Sequence, residues 1–140
     1  MTLKDHIIAR ITAEGPMRLD DYMSTCLLHP TLGYYTSQTP FGLQGDFVTA
    51  PDISQMFGEL IGLCLAQTWL DHGAPKAFAL AELGPGRGTL MADILRATAA
   101  VPGFHTAAQI HLIEASEPLR KRQAEALSGF DAEWHYQLST

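Results

Sequence analysis

The chain has 140 residues and a mass of 15.3 kDa, with 46% hydrophobic and 17% charged residues. This composition excludes a disordered chain, and the length is enough for one packed domain that buries roughly two thirds of its unfolded surface. A net charge of −6, from 9 basic and 15 acidic residues, argues against a nucleic-acid surface, which needs concentrated Lys and Arg.

The dense basic run Arg120-Lys121-Arg122 reads as a solvated helix face. Cys26 and Cys64 both lie in apolar helical stretches and read as small core residues rather than a disulfide, which suits a reducing cytoplasm. The start, Met1 to His6, shows neither a signal-peptide nor an Arg-rich transit pattern, so a cytoplasmic location is expected. The most apolar run, Leu60 to Leu70, is too short to span a bilayer and contains Gln67.

In chain order, residues 3–14 are expected to form an amphipathic helix with Leu3, Ile7, Ile8 and Ile11 on one face. Thr2 and Asp5 have capping-box spacing, and Gly15-Pro16 ends the helix. A second helix is expected over 18–29, with Leu19, Tyr22, Met23, Cys26 and Leu27 on one face and Pro30 as its stop. Residues 30–51 collect Pro30, Gly33, Pro40, Gly42, Gly45 and Pro51, interleaved with Tyr34, Tyr35, Phe41 and Phe47. Such a loop with its own apolar content packs down as a lid or lines a site. A third helix is expected from Asp52 to His72, with a stripe of Ile53, Met56, Phe57, Leu60, Ile61, Cys64 and Trp69.

The pattern then changes. Phe78 to Leu83 reads as a buried parallel strand, residues 88–99 as a helix with Leu90, Met91, Ile94 and Leu95 inward, and Gln109 to Glu114 as a second strand. Ser116 caps a helix over 117–127 with Leu119 and Leu127 inward, and Glu133 to Leu138 reads as a third strand. Alternation of strand and helix predicts an α/β fold with a parallel, Rossmann-like sheet and right-handed crossovers. Two regions are expected: 1–75, helical and looped, and 76–140, the first half of the sheet domain.

The sharpest signal is Glu82-Leu83-Gly84-Pro85-Gly86-Arg87-Gly88-Thr89, entered by a strand and left by a helix. Gly84 permits a tight turn, Gly86 lets the backbone approach a ligand, and Gly88 allows close packing of the helix on the strand. A plain tight connection is the bland alternative. A Walker loop needs a lysine between Gly88 and Thr89, and a dinucleotide fingerprint needs glycine where Thr89 stands. The G-x-G-x-G spacing with Glu82 ahead of it resembles the first motif of S-adenosylmethionine-dependent methyltransferases. The chemistry agrees, because a carboxylate at the strand end can offset an ammonium and a sulfonium.

Glu114, at the end of the second strand, can accept both hydrogen bonds of a ribose diol; alone it would read as a surface or capping carboxylate. Thr49 with Asp52 has capping-box spacing, and Pro51 suits a first helical turn. The histidines are scattered with no i, i+4 pair and no Cys partner at ligand spacing, so no metal site is expected. Nor is a nucleophile constellation visible.

A more specific resemblance rests on several stretches: His29-Pro30 with Gly33-Tyr34-Tyr35, Gly45-Asp46-Phe47 with Thr49-Ala50-Pro51, Ile53 to Glu59, and the glycine motif through Leu90. Together, over residues 17–115, they resemble the MidA family, whose mitochondrial members are protein arginine methyltransferases and complex I assembly factors. The resemblance implies S-adenosylmethionine as cofactor, with Glu82, Gly84, Pro85, Gly86 and Gly88 holding its methionyl part and Glu114 its ribose. It implies that Asp46, Phe47 and Thr49 close over the cofactor, and that a protein arginine side chain is the substrate. Asp52 stands where the family has glutamate. Arg87 would pair with the cofactor carboxylate or remain solvated.

The resemblance covers the front of a longer family, whose sheet has more strands than are visible here. The chain therefore reads as truncated, with its first strand as an exposed edge open to a second copy. No catalytic residue is assigned, because the acceptor site is expected downstream. Two other readings stand beside this one: a non-catalytic cofactor-binding or protein-interaction fragment, and a dinucleotide-binding domain.

Overall fold

The computed structural model describes residues 1–37 and 48–138. The chain divides into two compact units, Met1–Pro40 and Phe41–Thr140.

In the first unit, α1 (Leu3–Glu14) begins with the expected capping box: the Thr2 side chain accepts from the Asp5 amide, and Asp5 accepts from the Thr2 amide at 2.9 Å. It ends at Gly15, whose positive φ lets the chain turn away. The second helix, α2 (Leu19–Leu28), stops before His29, and a short α3 (Tyr34–Ser37) forms inside the region expected to be loop. Its entry explains the His29…Gly33 motif. A Cβ on Gly33 would lie 2.5 Å from the His29 backbone nitrogen, so only glycine fits this tight turn. Arg10 Nη1 donates to Thr25 Oγ1 at 3.4 Å, and the His6 and His29 rings meet edge to face at 4.9 Å. The apolar face of α2 is exposed at Leu19, Tyr22 and Met23.

The second unit carries the sheet. The helix expected over 52–72 is broken into α4 (Ala50–Ile53) and α5 (Gln55–Asp71), because Ser54 has an extended backbone at φ −147° and ψ 120°. Next come β1 (Phe78–Leu83), α6 (Thr89–Thr98), the short α7 (Phe104–Ala107), β2 (Ala108–Ile113), α8 (Glu117–Ala126) and β3 (Ala132–His135). The strands are parallel in the order β1-β2-β3, which bears out the Rossmann-like expectation and leaves β1 as an edge among the described residues. The third strand is four residues long rather than reaching Leu138.

The core joins Leu80 of β1 and Ile110 and Leu112 of β2 to Met91, Ile94 and Leu95 of α6, with Leu127 beyond α8. A second cluster holds Ala66, Trp69, Phe104 and Ala107, fixed by a Trp69 indole bond to the Pro75 carbonyl at 3.0 Å. The expected stripe of α5 holds at Trp69 and Ile61 and is corrected elsewhere. Its buried residues are Gly58, Gly62, Ala66 and Trp69, while Ile53, Met56 and Leu60 are exposed. The physical reason is close helix packing. A Cβ on Gly62 would come within 2.9 Å of Ile94 Cα, so small residues face α6 and the larger ones are displaced outward. Cys64 is accordingly exposed rather than a core residue, and both cysteines are free thiols. By packing, α5 lies on α6 and groups with the sheet in the second unit.

Candidate functional site

The site forms where β1 delivers the chain into the glycine loop. The ladder persists through Gly84, whose amide donates to the Ile113 carbonyl at 2.9 Å, and a turn follows in which the Gly88 amide donates to Pro85 at 2.8 Å. Gly84 and Gly86 both adopt left-handed φ, +64° and +55°, and a Cβ at either would meet no atom within 4 Å. Their backbones therefore face open space, a cavity of about 350 Å³ lined by Thr49, Asp52, Phe57, Glu82, Gly84, Pro85, Gly86, Arg87 and Thr89 among others. Gly88 has a different role from the one expected. Its close neighbour is α8 rather than the strand, at 3.2 Å from a built Cβ to Gln123 Cα.

Glu82 lies at the floor of this cavity. Burial pushes its carboxyl up to about 7, opposed by the Met91 backbone N–H that donates to it. Its Oε2 is buried without a partner among the described residues. A carboxylate that is desolvated and half-satisfied at the wall of a cavity is prepared for a cationic group from a ligand.

Asp52 fastens α4 to the glycine loop. It accepts from Thr49 Oγ1 at 2.9 Å and from Thr89 Oγ1 at 3.3 Å, and it pairs with Arg87 Nη1 at 3.6 Å. Thr49 occupies the N-cap position, but its hydroxyl serves the Asp52 carboxylate instead of a helix amide. Arg87 is thus neither solvated alone nor free, although its side chain stays 46% exposed toward the cavity.

Glu114 stands at the end of β2, buried, and does not line the cavity. Its Oε1 accepts from the Ser116 amide at 2.8 Å and its Oε2 from Gln123 Nε2 at 3.3 Å. Gln123, fully buried on α8, also donates to the Gly86 carbonyl at 2.8 Å and accepts from the Trp134 indole at 3.0 Å. One amide therefore ties the glycine loop, the β2 end and β3 together. Sequence reading missed both Gln123 and this role of Asp52. The only signal for Gln123 is a polar residue at an inward helical position four residues after Leu119, in a helix otherwise rich in charge. Ser116 sits at the N-cap without a side-chain cap bond. Asp46 and Phe47, expected to cover the site, lie outside the described residues.

The basic run on α8 departs from a solvated face at one position. Arg120 stacks its guanidinium 3.6 Å over the Tyr136 ring and is mostly buried.

A parallel sheet, a G-x-G-x-G loop on left-handed glycines and an unsatisfied acidic residue at the first strand end define a nucleoside-cofactor fold of the methyltransferase class. Residues 60–140 match the family described as "Putative S-adenosyl-L-methionine-dependent methyltransferase", and the chain belongs to that family. Among individual relatives, it is 44% identical to the mitochondrial protein arginine methyltransferase NDUFAF7 of Danio rerio, over 89% of this chain and 30% of that protein. The Homo sapiens protein of the same name is 41% identical over 88% of this chain and 28% of its own length. These relatives bear out the MidA resemblance. A solved COG1565-superfamily structure from Burkholderia thailandensis, bound to S-adenosyl-homocysteine, superposes with a TM-score of 0.79 at 30% identity, over 98% of this chain and 37% of that one. The chain thus spans about 30% of the length of the curated relatives it matches. The cytoplasmic expectation is corrected by these relatives, which are mitochondrial by name. Address is carried by targeting segments and not by the composition or fold of a domain, so the folded part does not report it.

Proposed function

We propose that this chain supplies the methionyl and ribose side of an S-adenosylmethionine site in a protein arginine N-methyltransferase with a role linked to respiratory complex I assembly. The observation that carries the reading is the desolvated Glu82 carboxylate, one oxygen of which is without a partner among the described residues, facing a cavity beside Gly84 and Gly86. The donor set fits the group. A carboxylate for the ammonium and close backbone at two left-handed glycines match the cofactor's positive methionyl end, whereas a pyrophosphate would be repelled by Glu82. When bound, the cofactor supplies an electrophilic methyl on a sulfonium.

The chain's own residues hold and orient. Glu82 takes the cationic end, the backbone of Gly84, Pro85 and Gly86 contacts the ligand, and Gly88 keeps α6 close to α8. Thr49 and Asp52 fix the wall beside the glycine loop, and Asp46 and Phe47 are assigned to the cofactor by the family resemblance alone. Glu114 takes the ribose diol by exchanging its Gln123 bond for a ligand bond. The catalytic alignment of an arginine side chain falls to residues outside this set. Residues 76–140 act as the cradle. The edge of β1, unpaired among the described residues, supports pairing with a further strand or a second copy.

Isothermal calorimetry of the chain with S-adenosylmethionine, S-adenosyl-homocysteine and NAD tests this. Binding of the first two and not of NAD is expected, with Gly86→Val reducing affinity by about a hundredfold or more, since φ +55° disfavours a branched side chain and the added carbons would fill space open to the ligand. Binding of NAD, or unchanged affinity in Gly86→Val, overturns the reading.

A further inference from the structure

The two faces of the sheet are unlike. Leu80, Ile110 and Leu112 lie on the face covered by α6, while Ala79, Ala81 and Leu83 of β1 are exposed on the other. In register on that second face, His111 of β2 stands opposite Glu133 of β3, and His135 follows two residues later, opposite Ile113. Because side chains alternate along a strand, Glu133 and His135 project to the same side as His111.

Their donor atoms converge. His111 Nδ1 lies 3.1 Å from His135 Nε2 and 3.6 Å from Glu133 Oε2, and His135 Nε2 lies 3.9 Å from the same oxygen. The point equidistant from three atoms at these separations is about 2.1 Å from each, the bond length of zinc to imidazole nitrogen and carboxylate oxygen. A single imidazole–imidazole hydrogen bond accounts for the 3.1 Å contact, but the two contacts to Glu133 are too long to be hydrogen bonds. They have the spacing of donors that share one ion.

We infer that His111, Glu133 and His135 form a binding site for a divalent transition-metal ion of the zinc type on the face of the sheet opposite α6. Two imidazoles and one carboxylate are borderline ligands that select such ions over calcium or magnesium. One formal negative charge with two neutral nitrogens leaves a net positive centre, and three protein donors leave a position for water or a further ligand. The donors sit on two hydrogen-bonded strands, so the set is ordered before the ion arrives. Sequence reading expected no metal because it looked for helical i, i+4 spacing; the pattern here is i, i+2 on one strand plus a cross-strand partner, which only the β2–β3 register reveals. The role is structural in the first instance. The His135 carbonyl accepts the Glu114 amide at 2.9 Å, so an ion on His135 clamps β3 to the strand end that carries Glu114.

The test is a titration of the chelator-treated chain with cobalt(II) chloride, followed by visible absorption, with zinc chloride as competitor and thermal unfolding as a second readout. A one-to-one complex displaced by zinc is expected, and zinc should raise the melting temperature. His111→Gln and His135→Gln should each weaken cobalt binding about tenfold or more, since loss of a mere outer-shell partner already costs 10–100-fold. His6→Gln, in the separate His6–His29 pair, should bind as the parent does. Circular dichroism shows whether each variant is folded, and Glu133→Gln, at an exposed position, provides a third variant that spares the imidazole pair. No cobalt complex at micromolar metal, equal affinity in folded His111→Gln or Glu133→Gln, or loss in His6→Gln overturns the inference.

Discussion

The carboxylates at the ends of the two adjacent strands β1 and β2 are prepared in opposite ways. Glu82 faces a cavity with one oxygen unpartnered, and burial raises its pKa to about 7. Glu114 is buried as deeply as a core residue, yet both its oxygens accept hydrogen bonds from Ser116 and Gln123. The same residue type at equivalent strand ends is in one case an open ligand donor and in the other a carboxylate that must give up a partner before it can hold a ligand. The difference teaches that position in the sheet topology does not by itself set a role. The count of unsatisfied lone pairs does, because each unmet buried acceptor carries a cost that a ligand can relieve.

The largest way to break this comparison is Glu82→Gln. At pH 8 it should weaken S-adenosylmethionine binding by roughly ten- to a hundredfold, the worth of a charge-assisted hydrogen bond. Without ligand it should stabilise the fold by on the order of 3 kcal/mol near neutral pH. The sign follows from the raised pKa. Below the unfolded value of 4.5 the group is protonated in both states, and the fold loses stability as pH rises from there through about 7. Affinity for the cationic ligand should run the other way in the parent, about tenfold tighter at pH 8 than at pH 6. Calorimetry and urea melts across that range read both. A pH-independent affinity would place the ligand's charge elsewhere.

Gln123→Leu attacks the other strand end. It removes a partner at once from the Gly86 carbonyl, Glu114 Oε2 and the Trp134 indole, so a loss of about 2–3 kcal/mol is expected in urea denaturation. Should stability hold, the Gln123 bonds are ornamental and Glu114 is as available as Glu82. A third comparison sets the two sides of α5 against each other. Gly62→Ala places a Cβ within 2.9 Å of Ile94 Cα and should cost about 1–3 kcal/mol. Leu60→Gln, on the 56% exposed outer side, should change stability by no more than about 0.5 kcal/mol in this chain. A larger effect would show that the outer side is covered after all.

Legibility in the sequence followed the range of the interaction. The bounds of α1, its capping box and the strand Phe78–Leu83 were readable because each depends on neighbours within a few residues. The glycine loop was readable for the same reason: left-handed φ at a strand-to-helix turn demands glycine locally. The stripe misleads at Ile53, Met56 and Leu60 and holds at Trp69 and Ile61, because the closest approaches of α5 to α6, at Gly58 and Gly62, admit only small residues. The helix break at Ser54 was equally silent, since Ser at that position also reads as ordinary helix or cap.

The sequence by itself thus determined the class of fold, the element order and the acidic, glycine-rich entry to the cofactor cavity, since these rest on periodicity and local backbone demands. Only the tertiary structure decided that Asp52 bolts α4 to the loop, that Gln123 links three elements, and that His111 meets Glu133 and His135. Those groups are far apart in the chain, and strand register and helix contact alone bring them within reach.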